Sequence, residues 1–284
     1  MKIIIRCTKC MMSELNQVIK ENLKVYDYTR NDYPVQINNN GIYELECRNG
    51  HKIHSLLSNK KYEVLFESGI LAYTEGYYIE SVTVISSSLE NFVEYCILLM
   101  TFDSNFKFYS DVTVDNKEQY ENYIREYNKV KDEYENNLKR YRKKSGIRLK
   151  AFYSLYHAIV GEPLQEINYQ IKIDGANKNL RNEVAHNGYI PSQNESLGYL
   201  KYVFDYINNV AKKLTLKLNK KTFHTVDVVL FEKLIERGLK QGNACEFIPM
   251  FLNDVFNSEK TQTFEEKMRA FQSMRDISYG KVRY

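Results

Sequence analysis

The sequence has no run of apolar residues approaching the roughly 18 that a membrane-spanning helix requires, so no membrane span is expected. Its opening residues, MKIIIRCTKCMM, hold one short apolar run that ends at Arg6 with no small-residue cleavage site behind it, and they do not read as a secretory signal. There is no glycine-rich nucleotide loop, no catalytic serine triad and no convincing redox pair, which sets aside the broad enzyme classes built on them. Cysteine is scarce and odd in number, five in all, and Cys7 and Cys10 form a Cys-x-x-Cys pair. That usage fits metal binding in a reducing compartment better than a disulfide framework, and the expected location is the cytoplasm. An excess of one charge is also lacking: the formal net charge is only +4, so nucleic-acid binding has to be judged from where the cations cluster.

What is present is an ordinary supply of core-forming residues, 43% hydrophobic against 27% charged in 284 residues, enough for one large domain or two modest ones. Residues 1–57 read as a ribbon. Ile3 to Ile5 make a short strand leading into Cys7, residues 13–25 an inserted amphipathic helix, and Asn38-Asn39-Asn40-Gly41 a turn. The run IYELEC then alternates apolar and polar residues and delivers Cys47 to a second turn at Asn49-Gly50. Cys7, Cys10, Cys47 and His51 thus supply two knuckles of soft or borderline ligands, the set that a structural, tetrahedral zinc ion takes. His54 is the alternative to His51. A closed set of four leaves no position for a substrate water, so this site is not expected to be catalytic.

From about residue 60 the apolar period becomes helical. Tyr62, Leu65, Phe66 and Ile70 mark one helix, and Val82, Ile85, Leu89, Phe92, Val93, Cys96 and Leu99 mark a second at 77–101, with Glu90 and Glu94 as an acidic edge. A long charged helix is expected at 117–143, and further helices at 148–160, 176–187, 196–213, 226–239, 243–257 and 262–274. Within 139–150, Lys139, Arg140, Arg142, Lys143, Lys144, Arg148 and Lys150 have no acidic neighbour and suggest a stripe of RNA phosphate contacts. His157, in Tyr-His-Ala-Ile-Val, reads as a core residue, and His224 has no local partner.

Residues 180–188 read Leu-Arg-Asn-Glu-Val-Ala-His-Asn-Gly. A histidine titrating near neutral pH suits the movement of a proton from a ribose 2′-hydroxyl or onto a departing 5′-oxygen, and an arginine beside it suits charge growing on the phosphate. On a helix Asn182 and His186 share a face, whereas Arg181 lies about 140° from His186. Here the chain resembles the HEPN superfamily, whose ribonuclease members carry Arg, usually a polar residue, a few variable residues and then His. Arg181, Asn182 and His186 match, and the likeness extends to the helical pattern over 62–213, Glu90 included, with 105–145 as an insertion. The resemblance implies a HEPN-like helical bundle over 58–215, and with the β zinc ribbon at 1–57 and the helical C-terminal extension at 216–284 the expected fold is mainly α. It further implies a metal-independent endoribonuclease that leaves a 2′,3′-cyclic phosphate, a toxin or anti-phage defence effector working as a homodimer with a composite site. His186 is then general acid or base, Arg181 the phosphate stabiliser, Asn182 an orienting group and Glu90 the residue that fixes Arg181. A regulatory protein or antitoxin is the expected restraint. The alternatives are a non-catalytic HEPN module that binds RNA or protein, and a zinc-ribbon DNA-binding regulator.

Overall fold

A computed structural model of the chain describes residues 2–7, 9–13, 32–38, 41–57, 59–106, 132, 136, 145–218, 243–245, 251–252, 255–256 and 262–279. The chain is mainly helical, with a few small strands near its N-terminus. It divides into two compact units, residues 1–60 with 230–248, and residues 61–229 with 249–284.

In the first unit, strand β1 (Lys2–Arg6) pairs antiparallel with β2 (Asp32–Gln36), placing Ile4 opposite Pro34. Strands β3 (Ile42–Glu46) and β4 (Lys52–Leu57) form an antiparallel hairpin with Leu45 opposite Ile53. The alternation read in IYELEC holds: Tyr43 and Cys47 are buried and Leu45 is half-buried, while Glu44 and Glu46 are exposed. A short strand, Asn243–Cys245, runs parallel to β4 at Ser55–Leu57. This corrects the helix expected at 243–257, whose first residues are extended because they complete a sheet. The inserted helix at 13–25 lies outside the described residues except for Ser13, which ends a helical turn at 9–13.

The second unit is built on two long helices, α1 (Lys61–Thr74) and α2 (Tyr78–Phe106), joined by a tight turn. Their apolar stripes meet: Tyr62, Phe66 and Ile70 from α1 and Val82, Ile85, Phe92, Cys96 and Leu99 from α2 are all essentially sealed from solvent. Gly69 allows the close approach, since a Cβ there would stand 2.5 Å from Ile85 Cγ1. Two serines of α2 bond across the same contact, Ser81 Oγ donating to the Gly69 carbonyl at 2.8 Å and Ser88 Oγ to that of Tyr62 at 2.6 Å. By length and composition α2 is the one described helix able to cross a membrane, yet 67% of its most apolar window is buried inside the protein. Its hydropathy is accounted for as that of a core helix.

Helix α3 (Ser145–Val160) contributes Phe152 and Tyr156 to this core. His157 on its last turn is exposed, so the reading of it as a core residue fails; its backbone carbonyl accepts from Gly161 N–H at the helix end. The expected helix at 176–187 begins later. Strands β5 (Gln170–Ile173) and β6 (Ala176–Asn179) form a hairpin, and only then does α4 (Leu180–Asn187) start. The turn residues Asp174 and Gly175 have φ of 52° and 77°, the left-handed pair that a two-residue hairpin turn demands. Helix α5 (Gln193–Lys217) lays Leu200, Val203, Phe204, Ile207, Val210 and Leu214 on the core, and α6 (Phe264–Tyr279) adds Phe264, Met268 and Phe271. The helices read at 117–143 and 226–239 lie outside the described residues, apart from 132 and 136.

Two outcomes test this packing. Gly69→Ala forces its Cβ into fully buried Ile85, and is expected to destabilise the second unit by about 1–3 kcal/mol in chemical denaturation. The second concerns α5, whose N-terminus is a capping box between Ser192 and Glu195. Burial pushes the Glu195 carboxyl up, but hydrogen bonds from the Ser192 N–H and hydroxyl and from the Tyr189 hydroxyl outweigh it and hold the group below its ordinary value. A lowered folded-state pKa means stability that is present above the unfolded pKa and is lost as pH falls through the folded one. Glu195→Gln should therefore cost about 0.5–1 kcal/mol near pH 7, with the gap to wild type closing below about pH 4.

Candidate functional site

Among the described residues, each unit carries a chemically distinctive cluster. In the first, β1 runs into Cys7, the helical turn that follows holds Cys10, and the turn between β3 and β4 holds Cys47 and His51. The ligand atoms of these four residues all lie within 4.8 Å of one another. Cys10 Sγ is 3.6 Å from Cys47 Sγ and 3.2 Å from His51 Nδ1, and Cys7 Sγ is 3.6 Å from that nitrogen. The edges of a tetrahedral site with metal–sulfur bonds near 2.3 Å and metal–nitrogen bonds near 2.0 Å are about 3.5–3.8 Å, so small adjustments would seat an ion.

The knuckle at Cys47 is shaped by its backbone. Cys47 N–H donates to the His51 carbonyl and Gly50 N–H to the Cys47 carbonyl, both at 2.9 Å, while Gly50 takes the left-handed φ of 75° that this turn needs. His51 N–H then points at Cys47 Sγ at 3.3 Å. Burial pushes the Cys47 thiol up, but backbone N–H bonds from Asn49 and His51, together with the Cys10 and Cys7 thiols, offset it and bring the group down to about 6. Burial wins at Cys10, pushed up to about 11 although the Asn49 amide donates to its sulfur at 3.3 Å. Asn49, read in the sequence as a turn residue, also braces Cys10, and Tyr33, whose hydroxyl accepts from Arg48 N–H at 3.1 Å, supports the knuckle although no spacing rule marks it. His54 is not part of the cluster. It sits in β4 opposite Glu44, with its Nδ1 3.5 Å from that carboxylate.

The second cluster centres on α4. Leu180 and Val184 are buried beneath it, as their spacing predicts, and hold the short helix down. Asn179 caps its start, accepting from Asn182 N–H at 3.1 Å, and Gly188 ends it in the left-handed conformation. Arg181 reaches α2, where its Nη2 donates to Glu90 Oε1 at 2.7 Å, and its Nη1 donates to Asn182 Oδ1 at 3.2 Å. His186 lies one turn beyond Asn182 and is exposed. The structure therefore brings Arg181, Asn182 and Glu90 together, with His186 following Asn182 along one helical face.

Arg148 departs from its expected place in a basic stripe. Only 8% of the residue is exposed, and its guanidinium lies between Glu94 Oε1 at 2.5 Å and Glu90 Oε2 at 3.1 Å. Glu90 and Glu94 are one turn apart on the polar edge of α2, where the two carboxylates converge on one cation. Its place is a buried ion network, which removes it from the set of phosphate contacts. Lys139, Arg140, Arg142, Lys143 and Lys144 lie outside the described residues, and Lys150 is exposed. No protein-family model, characterised protein or solved structure matches the chain.

The Cys7, Cys10, Cys47 and His51 cluster can bind a metal ion. Purified protein is expected to carry about one ion per chain, measured by elemental mass spectrometry, and Cys47→Ser should lose most of it. Equal metal content in the two proteins would rule the cluster out as the binding site.

Proposed function

We propose that this chain is a metal-independent endoribonuclease of the HEPN type, a toxin or anti-phage defence effector that cleaves RNA by 2′-hydroxyl attack. The observation that carries the reading is the α4 constellation: Arg181 tied to Glu90 at 2.7 Å and to Asn182 at 3.2 Å, on a helix whose His186 is exposed one turn further on. The mainly helical surroundings of α4 are in keeping with the resemblance. Cleavage moves one proton off the 2′-hydroxyl and another onto the 5′-oxygen. His186 serves as general acid or base, and Arg181 stabilises the charge that develops on the phosphate. One histidine handles one of the two protons, so the second comes from another copy of the motif, and the working species is a homodimer. The protein acts in the cytoplasm, with a regulatory protein or antitoxin as its restraint.

The ion in the N-terminal cluster is zinc and its role is structural. Three thiolates and an imidazole are a zinc donor set, and with all four positions taken the ion has none to offer a substrate. Cys7, Cys10, Cys47 and His51 would hold it, joining the end of β1 to the β3–β4 turn.

The test is incubation of single-stranded RNA with wild type, Arg181→Ala and His186→Ala in the presence of EDTA. Wild type is expected to cut and leave cyclic phosphate ends, and each variant to lose about a hundredfold or more of the rate. RNA binding without cutting by wild type, unchanged in His186→Ala, would replace this reading with a non-catalytic HEPN module.

A further inference from the structure

The charges beside α4 form a line of four rather than two closed pairs. Arg148 donates from Nη1 to Glu94 and from Nη2 to Glu90 Oε2, and Glu90 uses its other oxygen, Oε1, for Arg181. The inner half of the line is fixed inside the protein: the side chains of Arg148 and Glu94 are 10% and 14% exposed. The outer half is open, with Arg181 at 40% and Glu90 at 41%.

The division of Glu90's oxygens has a chemical consequence. An arginine that is to hold a phosphate has to leave whatever carboxylate it rests on. Were Arg181 the sole cation on Glu90, its departure would strand a carboxylate beside an incoming anion, and the repulsion would oppose binding. Here Oε2 stays engaged by Arg148 whichever way Arg181 turns. The inner pairing survives the exchange, and the four groups together are neutral before it begins.

Resting on the reading of Arg181 as a phosphate contact, we infer that Glu90 is an internal stand-in for the RNA phosphate that parks Arg181, and that buried Arg148 is the positioning residue that lets Arg181 exchange this carboxylate for a phosphodiester. Glu90 thus orders Arg181 near its working place and also competes with the substrate for it. Arg148 weakens the competition by drawing off part of the carboxylate's charge. The pairing between Glu90 and Arg181 is half-exposed and so worth little, which keeps the exchange shallow.

The experiment is a fluorescence anisotropy titration of full-length protein with a labelled, mixed-sequence single-stranded RNA carrying 2′-O-methyl groups throughout, a probe that binds but has no 2′-hydroxyl to attack. Arg181→Ala should weaken binding. Glu90→Gln removes the competitor while keeping the side chain's shape, and should tighten binding about two- to fivefold. Arg148→Gln should weaken it by a similar factor, and Arg148→Lys should restore part of the loss. A role confined to packing would lower affinity in every variant, so the opposite signs of Glu90→Gln and Arg148→Gln are the signature. Arg148→Gln takes a buried cation from between two carboxylates and endangers folding, so the part given to Arg148 is read from Arg148→Lys, which keeps the charge and should bind between wild type and Arg148→Gln. Glu90→Gln, at a half-exposed position, decides the exchange. If Arg181→Ala binds less RNA and Glu90→Gln binds less or the same, the exchange is overturned while Arg181 remains a phosphate contact. If Arg181→Ala binds as well as wild type, that reading falls and the exchange with it.

Discussion

A guanidinium taken out of water loses hydration worth several kcal/mol, and the protein has to return it as close carboxylates. Arg148 is buried to that degree, and the carboxylates that meet it, Glu90 and Glu94, come from successive turns of α2. This requirement sets more than a local contact. It presses the first turns of α3 against the middle of α2, and it holds Glu90 where its remaining oxygen faces α4. Arg181 completes the line from α4, whose start is held in place by the burial of Leu180 and Val184. An eight-residue helix is too short to persist on its own. α4 persists because both ends and its inner face are tied: Asn179 at its start, Gly188 at its close, the β5–β6 hairpin leading in and α2 alongside.

The two units meet the problem of stability by different means. The second has a large apolar interior in which aromatic rings interlock, Phe251 lying 5.9 Å from Phe66 and 5.8 Å from Phe264 between ring centroids. Such a core needs no cross-link. The first unit has strands of three to six residues in sheets of two and three, and small sheets bury too little to stand alone. The Cys7, Cys10, Cys47 and His51 cluster joins the end of β1 to the β3–β4 turn, and an ion held by both knuckles would turn ligand binding into folding energy. The backbone of the Cys47 turn is already in the ligand-presenting form, with Gly50 left-handed and His51 N–H on the sulfur. Organisation of this kind keeps the cost of closing the site low.

What could be read from the sequence follows from how local each signal is. The helical period on Val82, Ile85, Leu89, Phe92 and Val93 located α2, because burial of one face is written every three or four residues. The ligand set was equally legible, since Cys-x-x-Cys and Cys-x-x-x-His each close within a single turn. The β5–β6 hairpin carried a local signal as well, Asp174-Gly175 between extended runs, and it was overlooked in favour of a longer helix. The strand at Asn243–Cys245 is a different case. Its pairing with β4 joins residues far apart in sequence, and three residues have no period to read. Arg148 shows the same limit in charge: among Lys139 to Lys150 it looks like one more surface cation, and only the meeting of α3 with Glu90 and Glu94 separates it from them.

The geometry of α4 also bears on why one chain is not enough under the ribonuclease reading. Arg181 turns toward α2, where Glu90 holds it, whereas His186 projects from the last turn on the face it shares with Asn182. With about 140° between their directions, the pair in one chain cannot both close on one phosphate while Arg181 stays on Glu90. Moving the arginine away from Glu90 shortens that separation, and a second copy of α4 facing the first removes it, because each phosphate then meets the arginine of one chain and the histidine of the other. On that reading the line of charge behind Arg181 would make the first motion shallow, and the exposed His186 and Asn182 would leave a face for the second. Parking the arginine and sharing the histidine are thus two answers to one constraint, the pitch of a single helix.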